Sequence, residues 1–162
     1  MRSKMTARIV MILLAAAALA SVAHGAEEIN VSGGLTGAGA PLAMHGYDPV
    51  AYFTDGVAMI GSAKHSVKRD GAAYRFVSEA NKRRFEKNPA RYQPQFGGFC
   101  AYGVSVGKKF DGDPRVWKIV DGKLYFNLNP DIKATWLQDT AGNLRKADKN
   151  WPRIQSKPAS AL

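Results

Sequence analysis

Chemically reactive side chains are few in this sequence, and the most unusual of them is a single cysteine. Cys100 lies in the run Gly97-Gly98-Phe99-Cys100-Ala101-Tyr102-Gly103, whose glycines allow close approach of the backbone and positive φ angles. His45 and His65 are the other candidates, because imidazole nitrogen and thiolate sulfur are both ligands for transition metals. The inventory therefore centres on one thiol and two imidazoles.

Three interpretations of Cys100 stay open on residue types alone. In the first, Cys100 is a buried small hydrophobe, as free cysteines often are. In the second it is a soft metal ligand, with copper as the first choice of metal, and His65, His45, Met44 or Met59 complete the site. In the third it is a redox thiol with a lowered pKa, and its sulfur is then the catalytic atom.

The scarcity of catalytic motifs in the rest of the sequence favours a binding protein over an enzyme. The sequence has no His-x-x-x-His and no Cys-x-x-Cys. A metal-dependent hydrolase would need several His, Asp and Glu ligands that converge, and no spacing here predicts them. We therefore expect no hydrolase site.

The N-terminus predicts a cleavable secretory signal over residues 1–25. Three basic residues come first, an apolar run follows over residues 9–20, and Ala23-His24-Gly25 fits the small-x-small rule for cleavage. The apolar run is shorter than the roughly 20 residues that a spanning helix needs. We therefore expect the protein to be periplasmic or secreted. There, Cys100 has no second cysteine with which to form an internal disulfide.

The charge of the exported chain is strongly positive. The full sequence has 23 Lys and Arg against 13 Asp and Glu, and loss of Arg2, Lys4 and Arg8 leaves 20 against 13. A net charge of +7 favours attraction to anionic surfaces, so an anionic membrane surface or an acidic partner protein is expected rather than nucleic acid, which the compartment excludes. An interaction module that uses this surface is a third functional alternative.

Three segments follow the signal. Residues 26–43 are rich in Gly and Ala without periodicity and predict a flexible leader. Residues 44–152 form the predicted domain, and residues 153–162 a disordered tail. The remaining chain of roughly 135 residues is the size of one domain with one core.

The elements within the domain predict a small α+β fold with two β-hairpins and about three short helices. Asp70-Gly71 and Asp121-Gly122 each separate two alternating segments, which is a strong hairpin signal. Ser78 is a predicted N-cap of one helix, and Asn129-Pro130 starts another, with a weaker helix ending at Pro152. We expect a tight turn into a strand around Cys100.

Residues 46 to about 102 resemble the YHS domain. The features that carry the resemblance are Asp48-Pro49-Val50, His65 before a Gly-containing hairpin, Tyr74-Arg75-Phe76 with Ser78 after it, and Phe85-x-x-x-Pro89-x-x-Tyr92. The resemblance implies metal binding, with copper as the metal. Cysteines usual in the metal-type version are replaced here by Ala51, Val77 and Ala80, so only His65 remains of the ligands it implies.

The C-terminal half resembles exported YHS proteins that include selenoprotein members. The run around Cys100, Asp113-Pro114-x-x-Trp117 and Asn150-Trp151-Pro152 carry this resemblance, which implies selenocysteine at the Cys100 position in some members. Such a position favours redox chemistry or soft-metal ligation over packing. We therefore expect a metal site of Cys100, His65 and His45, with a thiol-redox protein as the alternative.

Overall fold

A computed structural model describes residues 28–162, so the predicted signal over residues 1–25 lies outside the described residues. The described chain contains a four-stranded sheet in the order β1-β2-β4-β3 and a two-stranded sheet of β5 and β6. None of its helices is long and apolar enough to cross a membrane. The strands are β1 (Val31–Ser32), β2 (Leu42–Ala43), β3 (Ser62–Arg69), β4 (Ala72–Phe76), β5 (Asp113–Val120) and β6 (Lys123–Asn127).

Both predicted hairpins are present, with antiparallel pairing of β3 with β4 and of β5 with β6. Asp70 and Gly71 have φ angles of 50° and 80°, and Asp121 and Gly122 have 50° and 73°. Two successive positive φ angles define a type I′ turn, whose twist matches that of the flanking strands. The Asp-Gly dipeptides thus set the register of each hairpin.

Six α-helices surround the sheets in residues 28–162. The predicted N-caps are confirmed, since Ser78 accepts a hydrogen bond from the Asn81 backbone N–H and Asn129 accepts one from that of Ile132. The helices are α1 (Ala51–Thr54), α2 (Glu79–Lys87), α3 (Pro89–Tyr92), α4 (Ala101–Ser105), α5 (Pro130–Gln138) and α6 (Thr140–Ile154). The mixed fold with two hairpins is the α+β domain that the sequence predicts.

Three local predictions need correction. Cys100 does not enter a strand but precedes the short helix α4 as its N-cap residue. Pro152 lies inside α6, which continues to Ile154, because a proline in the last turn removes only one backbone donor. The segment predicted as a leader, residues 26–43, contributes β1 and β2 to the sheet, where Leu42 pairs with Ala73.

The predicted tail, residues 153–162, is also held to the domain. Lys109 is only 5% exposed, and its ammonium group donates hydrogen bonds to the backbone oxygens of Gln155 at 2.9 Å and Lys157 at 2.6 Å. The same ammonium group lies 4.8 Å from the centre of the Phe99 ring. The buried Lys109 ammonium group thus contacts two carbonyl oxygens and an aromatic face, and these contacts fix the chain after α6.

Tyr52 joins the two sheets. Its hydroxyl donates a hydrogen bond to the Pro114 backbone oxygen at 2.8 Å, and its ring packs against Trp117 and Phe126 with centroid distances of 5.1 and 5.6 Å. These contacts place β5 and β6 against α1. The second hairpin is therefore positioned by the segment that begins at Asp48.

Asp48 is a fully buried carboxylate held by four N–H groups. Its Oδ1 accepts from the backbone of Val50 at 2.7 Å and Ala51 at 3.4 Å. Its Oδ2 accepts from the Val77 backbone at 2.9 Å and from Asn81 Nδ2 at 2.8 Å. One side chain thus ties the start of α1, the end of β4 and α2.

Replacement of Asp48 by Asn should destabilise the domain by about 3 kcal/mol, because the amide NH₂ at the Oδ2 position would face two N–H donors and leave them unsatisfied. The measurement is the urea midpoint of unfolding. The exposed Asp55→Asn is the matched control and should change stability by less than about 0.5 kcal/mol. Equal midpoints for the two variants would contradict this role of Asp48.

Candidate functional site

Cys100 is completely buried, between α4 and β6. Its sulfur accepts a hydrogen bond from the Gly103 backbone N–H at 3.4 Å, and the backbone N–H groups of Leu128 and Tyr102 also point to it. The thiol lies 3.7 Å from Oδ1 of Asn127, to which it donates. These contacts give the sulfur a ring of N–H donors.

Burial nevertheless raises the pKa of the Cys100 thiol, because removal from water disfavours the charged thiolate. The three backbone N–H groups act in the opposite direction and lower the pKa, but desolvation is the larger cause. The thiol of Cys100 is thus protonated at neutral pH in the folded protein. A low-pKa redox cysteine would have the opposite shift.

Phe110 is the surface side chain beside Cys100. A Cβ on Gly103 would lie 2.9 Å from Cδ2 of the Phe110 ring and 3.5 Å from the Cys100 Cβ, so the glycine allows this ring to pack close to the cysteine. Phe110 is 47% exposed, and its backbone oxygen accepts a hydrogen bond from the Cys100 backbone N–H. Movement of this ring would therefore bring solvent nearer to the thiol.

Asn127 has an unsatisfied donor next to the thiol. Its Oδ1 accepts from the Tyr102 backbone N–H at 3.3 Å and from Cys100, which fixes the orientation of the amide. Its Nδ2 is buried and has no hydrogen-bond partner among the described residues. An unpaired buried NH₂ group costs free energy, and here it leaves one hydrogen-bond donor of Asn127 without a partner close to the thiol.

His45 lies in a different setting, on the wall of an open cavity of about 270 Å³. Its backbone φ angle is 50°, and its Nε2 lies 2.9 Å from Oδ1 of Asp111. Asn30 Nδ2 donates to the same oxygen at 2.6 Å. The cavity is lined by His45, Tyr47, Asp111, Asp113, Pro114, Arg115 and Leu128.

A second carboxylate, that of Asp113, faces the His45 cavity. Its two oxygens accept hydrogen bonds from the Arg115 guanidinium at 3.0 and 2.8 Å. Hydrogen bonds from Arg115 hold the pKa of Asp113 below its ordinary value, and the nearby His45 acts in the same direction. Asp113 is therefore ionised at neutral pH and partly neutralised by its arginine.

His65 has a different partner and a more positive environment. It lies on β3, and its Nδ1 is 3.3 Å from Oε2 of Glu79 at the start of α2. The other oxygen of Glu79 lies 4.0 Å from the Lys82 ammonium and 3.9 Å from the Arg83 guanidinium. These cations disfavour a metal ion at His65.

The three predicted metal ligands thus have separate partners. No hydrogen bond or ion pair in residues 28–162 joins Cys100 to either histidine, and these residues contain no group of three or more His, Cys, Asp and Glu that could hold a metal ion. The hydrogen bonds of Cys100, one accepted from Gly103 and one donated to Asn127, fit a buried protonated thiol rather than a metal centre. Asp111 and Asp113 give the His45 cavity two carboxylates, although with His45 they do not form such a group.

Leu128 lies between the thiol and the His45 cavity. Its backbone N–H points to the sulfur of Cys100, and the residue lines the cavity that contains His45. His65 has no such connection in the described residues. The structure therefore brings Cys100 and His45 into one region without direct contact.

A serine motif that the sequence reasoning missed also lies here. Gly103-Val104-Ser105-Val106-Gly107 has the Gly-x-Ser-x-Gly spacing of many serine hydrolases. Ser105 is buried at the end of α4, and its hydroxyl donates to the Tyr102 backbone oxygen at 2.6 Å. A nucleophile would need an exposed turn between strand and helix, so this motif is structural.

The fold and these residues define a small α+β domain with a buried thiol and a histidine-carboxylate cavity. Residues 50–96 match the YHS domain family, and the chain is a YHS domain-containing protein. This family is regarded as a metal-binding family. Neither the curated proteins nor the solved structures gave a match. Cys100 and His45 both lie outside the matched residues, whereas His65 lies inside them.

Burial of Cys100 predicts slow alkylation of the native protein. At pH 7.5 iodoacetamide should react at least about tenfold more slowly with the folded chain than with the urea-unfolded chain. Because the pKa is raised, the rate should still be increasing with pH above the ordinary thiol value of about 8.5. Mass spectrometry of quenched samples measures both.

The same assay tests the position of Phe110. Phe110→Ala should accelerate alkylation of the folded protein, whereas Val106→Ala removes another exposed apolar side chain and should not. Equal rates for the two variants would contradict the shielding role of Phe110, and a wild-type rate that levels off near pH 7 would contradict the raised pKa of the thiol.

Proposed function

We propose that this chain is an exported transition-metal-binding protein, with copper as its metal and His45 as its principal ligand. The observation that carries the proposal is the His45 imidazole, 40% exposed and 2.9 Å from a carboxylate oxygen of Asp111 in an open cavity. Membership of a metal-binding family supports the metal. The signal predicted over residues 1–25 supports export.

The donor atoms in this cavity support Cu(II) as the oxidation state of the proposed metal. Imidazole nitrogen suits copper and zinc, carboxylate oxygen is a harder ligand, and such N,O sets favour Cu(II) over Cu(I). Asp111 and Asp113 reduce the positive charge of a bound cation, while Arg115 opposes it by its own charge. Water or a partner would complete the coordination.

Cys100 and His65 are the ligands favoured by the sequence, and they enter the proposal differently. Thiolate selects Cu(I). Cys100 would therefore bind Cu(I) only after it loses its proton and the residues that bury it move aside. His65 is held by Glu79 as His45 is held by Asp111, but two cations lie beside Glu79 and disfavour a metal ion there. The proposal therefore has a Cu(II) site at His45 that does not need either residue.

Copper titration of single variants tests the assignment. In a Cys100→Ser background, which avoids reduction of Cu(II) by the thiol, His45→Ala should weaken Cu(II) binding by about tenfold or more. His65→Ala is the matched control and should leave the affinity within about twofold, because Lys82 and Arg83 surround its partner. Competition with a chromophoric chelator measures the affinities.

The reverse pattern, with loss of binding in His65→Ala and none in His45→Ala, would contradict the His45 assignment. A parallel anaerobic Cu(I) titration compares the wild type with Cys100→Ser. Equal Cu(I) affinities exclude Cys100 from the site. A large loss in Cys100→Ser would instead support the Cys100 site that the sequence favours.

A thiol-redox function is the second candidate, and the unpaired Nδ2 of Asn127 favours it. A hydroperoxide would transfer one oxygen to the Cys100 sulfur, its O–O bond would break, and the corresponding alcohol or water would leave. The thiol becomes a sulfenic acid. The sulfenate oxygen would then have the free Nδ2 of Asn127 as a donor.

Trapping with dimedone tests this candidate. After treatment with hydrogen peroxide, the wild type should form a dimedone adduct at Cys100, and Phe110→Ala should form it faster because the ring no longer packs beside the cysteine. Asn127→Leu should lower the adduct yield in that background by removing the donor. A folded Phe110→Ala protein that forms no adduct, although its Cys100 is alkylated, would rule the candidate out.

A further inference from the structure

A second cavity lies on the outer face of the four-stranded sheet and shares no residue with the His45 cavity. Its volume is about 310 Å³. The walls are almost entirely small side chains, and the one long side chain is that of an arginine. The lining residues are Thr36, Gly37, Ala38, Ala63, Ser66, Ala73 and Arg75.

The sheet register explains why Arg75 points away from the core. Val67 pairs with Tyr74, whose side chain lies in the hydrophobic core that also contains Phe76 and Phe85, and the Val67 side chain packs against this core. Successive residues of a strand point to opposite faces, so Arg75 and its pairing partner Ser66 belong to the outer face. Residues 36–38 of the segment before β2 lie over this face and close the cavity.

The Arg75 guanidinium has no hydrogen bond or ion pair with any described residue, although it is half-buried. No Asp or Glu lines the cavity. Lys68 pairs with Ala73 and therefore lies on the same outer face, where it adds a second positive charge. A guanidinium that is partly removed from water without a partner is a site for an anion.

We propose that the Arg75 cavity binds a small oxyanion, either a carboxylate or a phosphate. The planar guanidinium fork offers paired N–H donors that match two oxygens of either group. The volume is at the lower end for ligand sites, so the ligand is small. The hydroxyls of Thr36 and Ser66 donate to backbone oxygens of Ala40 and Ala63, so the anion would depend on the Arg75 guanidinium for its hydrogen bonds.

Selectivity follows from these walls. With no carboxylate and no aromatic surface in the lining, the cavity distinguishes ligands by charge and by size. A ligand seated there touches both the sheet and residues 36–38, so binding should stabilise the segment before β2 against the sheet. This proposal is independent of copper, because the His45 cavity has its own lining.

NMR titration of the ¹⁵N-labelled wild-type protein tests the proposal. Inorganic phosphate and acetate are added in separate arms at an ionic strength held constant with sodium chloride. Amide shifts should appear first at Ala38, Ser66 and Arg75, and should saturate in at least one arm. Saturation by phosphate alone or by acetate alone supports the site and identifies which source of oxyanion it takes.

Matched variants distinguish anion binding in the Arg75 cavity from general attraction of anions to the positively charged protein. Arg75→Gln should weaken binding by at least about tenfold, the loss expected for a charge-assisted hydrogen-bond pair. Arg75→Lys keeps the positive charge but lacks the paired N–H donors of the guanidinium, so it should recover part of the lost anion affinity. Arg69→Gln removes an exposed arginine of the same sheet, next to Asp70, and should leave the affinity unchanged.

Two results would overturn the proposal. One is that neither anion produces saturable shifts beyond those of chloride. The other is that Arg69→Gln and a folded Arg75→Gln weaken binding equally, which would mean that the anion responds only to net charge. If Arg75→Gln does not fold, Arg75→Lys and Lys68→Gln carry the comparison.

Discussion

The buried carboxylate of Asp48 is the constraint on which the rest of the domain depends. Four N–H groups converge on it, and none of residues 28–162 forms an ion pair with it, so these residues hold it by hydrogen bonds alone. Pro49 and Val50, which follow it, are themselves buried. The Asp-Pro-Val motif of this YHS domain is therefore structural. Ala51, which follows this motif where the metal-type version usually has a cysteine, is itself buried, and the fold forms without a metal ligand there.

From Asp48 the constraint reaches the candidate site through Tyr52. The carboxylate fixes the start of α1, α1 carries Tyr52, and Tyr52 holds the Pro114 backbone and the Phe126 ring. Phe126 is the bridge partner of Cys100. The thiol thus lies at the end of a chain of contacts that begins at Asp48, and both residues lie outside the matched residues 50–96.

Local signals were sufficient to predict much of the fold but little of the site. The Asp-Gly turns and the caps at Ser78 and Asn129 depend on neighbours within a few residues, so the sequence determines them directly. His45 and Asp111 are 66 positions apart, and Cys100 and Asn127 are 27 apart. Such pairs follow from tertiary packing. The two-residue strands β1 and β2 are too short for an alternating pattern, which explains why a leader was predicted there.

Leu128 is the residue shared by the surroundings of the Cys100 thiol and the His45 cavity. Its backbone N–H points to the Cys100 sulfur, and the same residue lines the His45 cavity. A ligand at His45 that displaces Leu128 would remove a donor from the thiol and disfavour the thiolate. Conversely, an oxidised sulfur that draws in this N–H would alter the cavity wall. If the proposed metal site and the redox thiol both operate, this one backbone amide would link them, and each would change the free energy of the other.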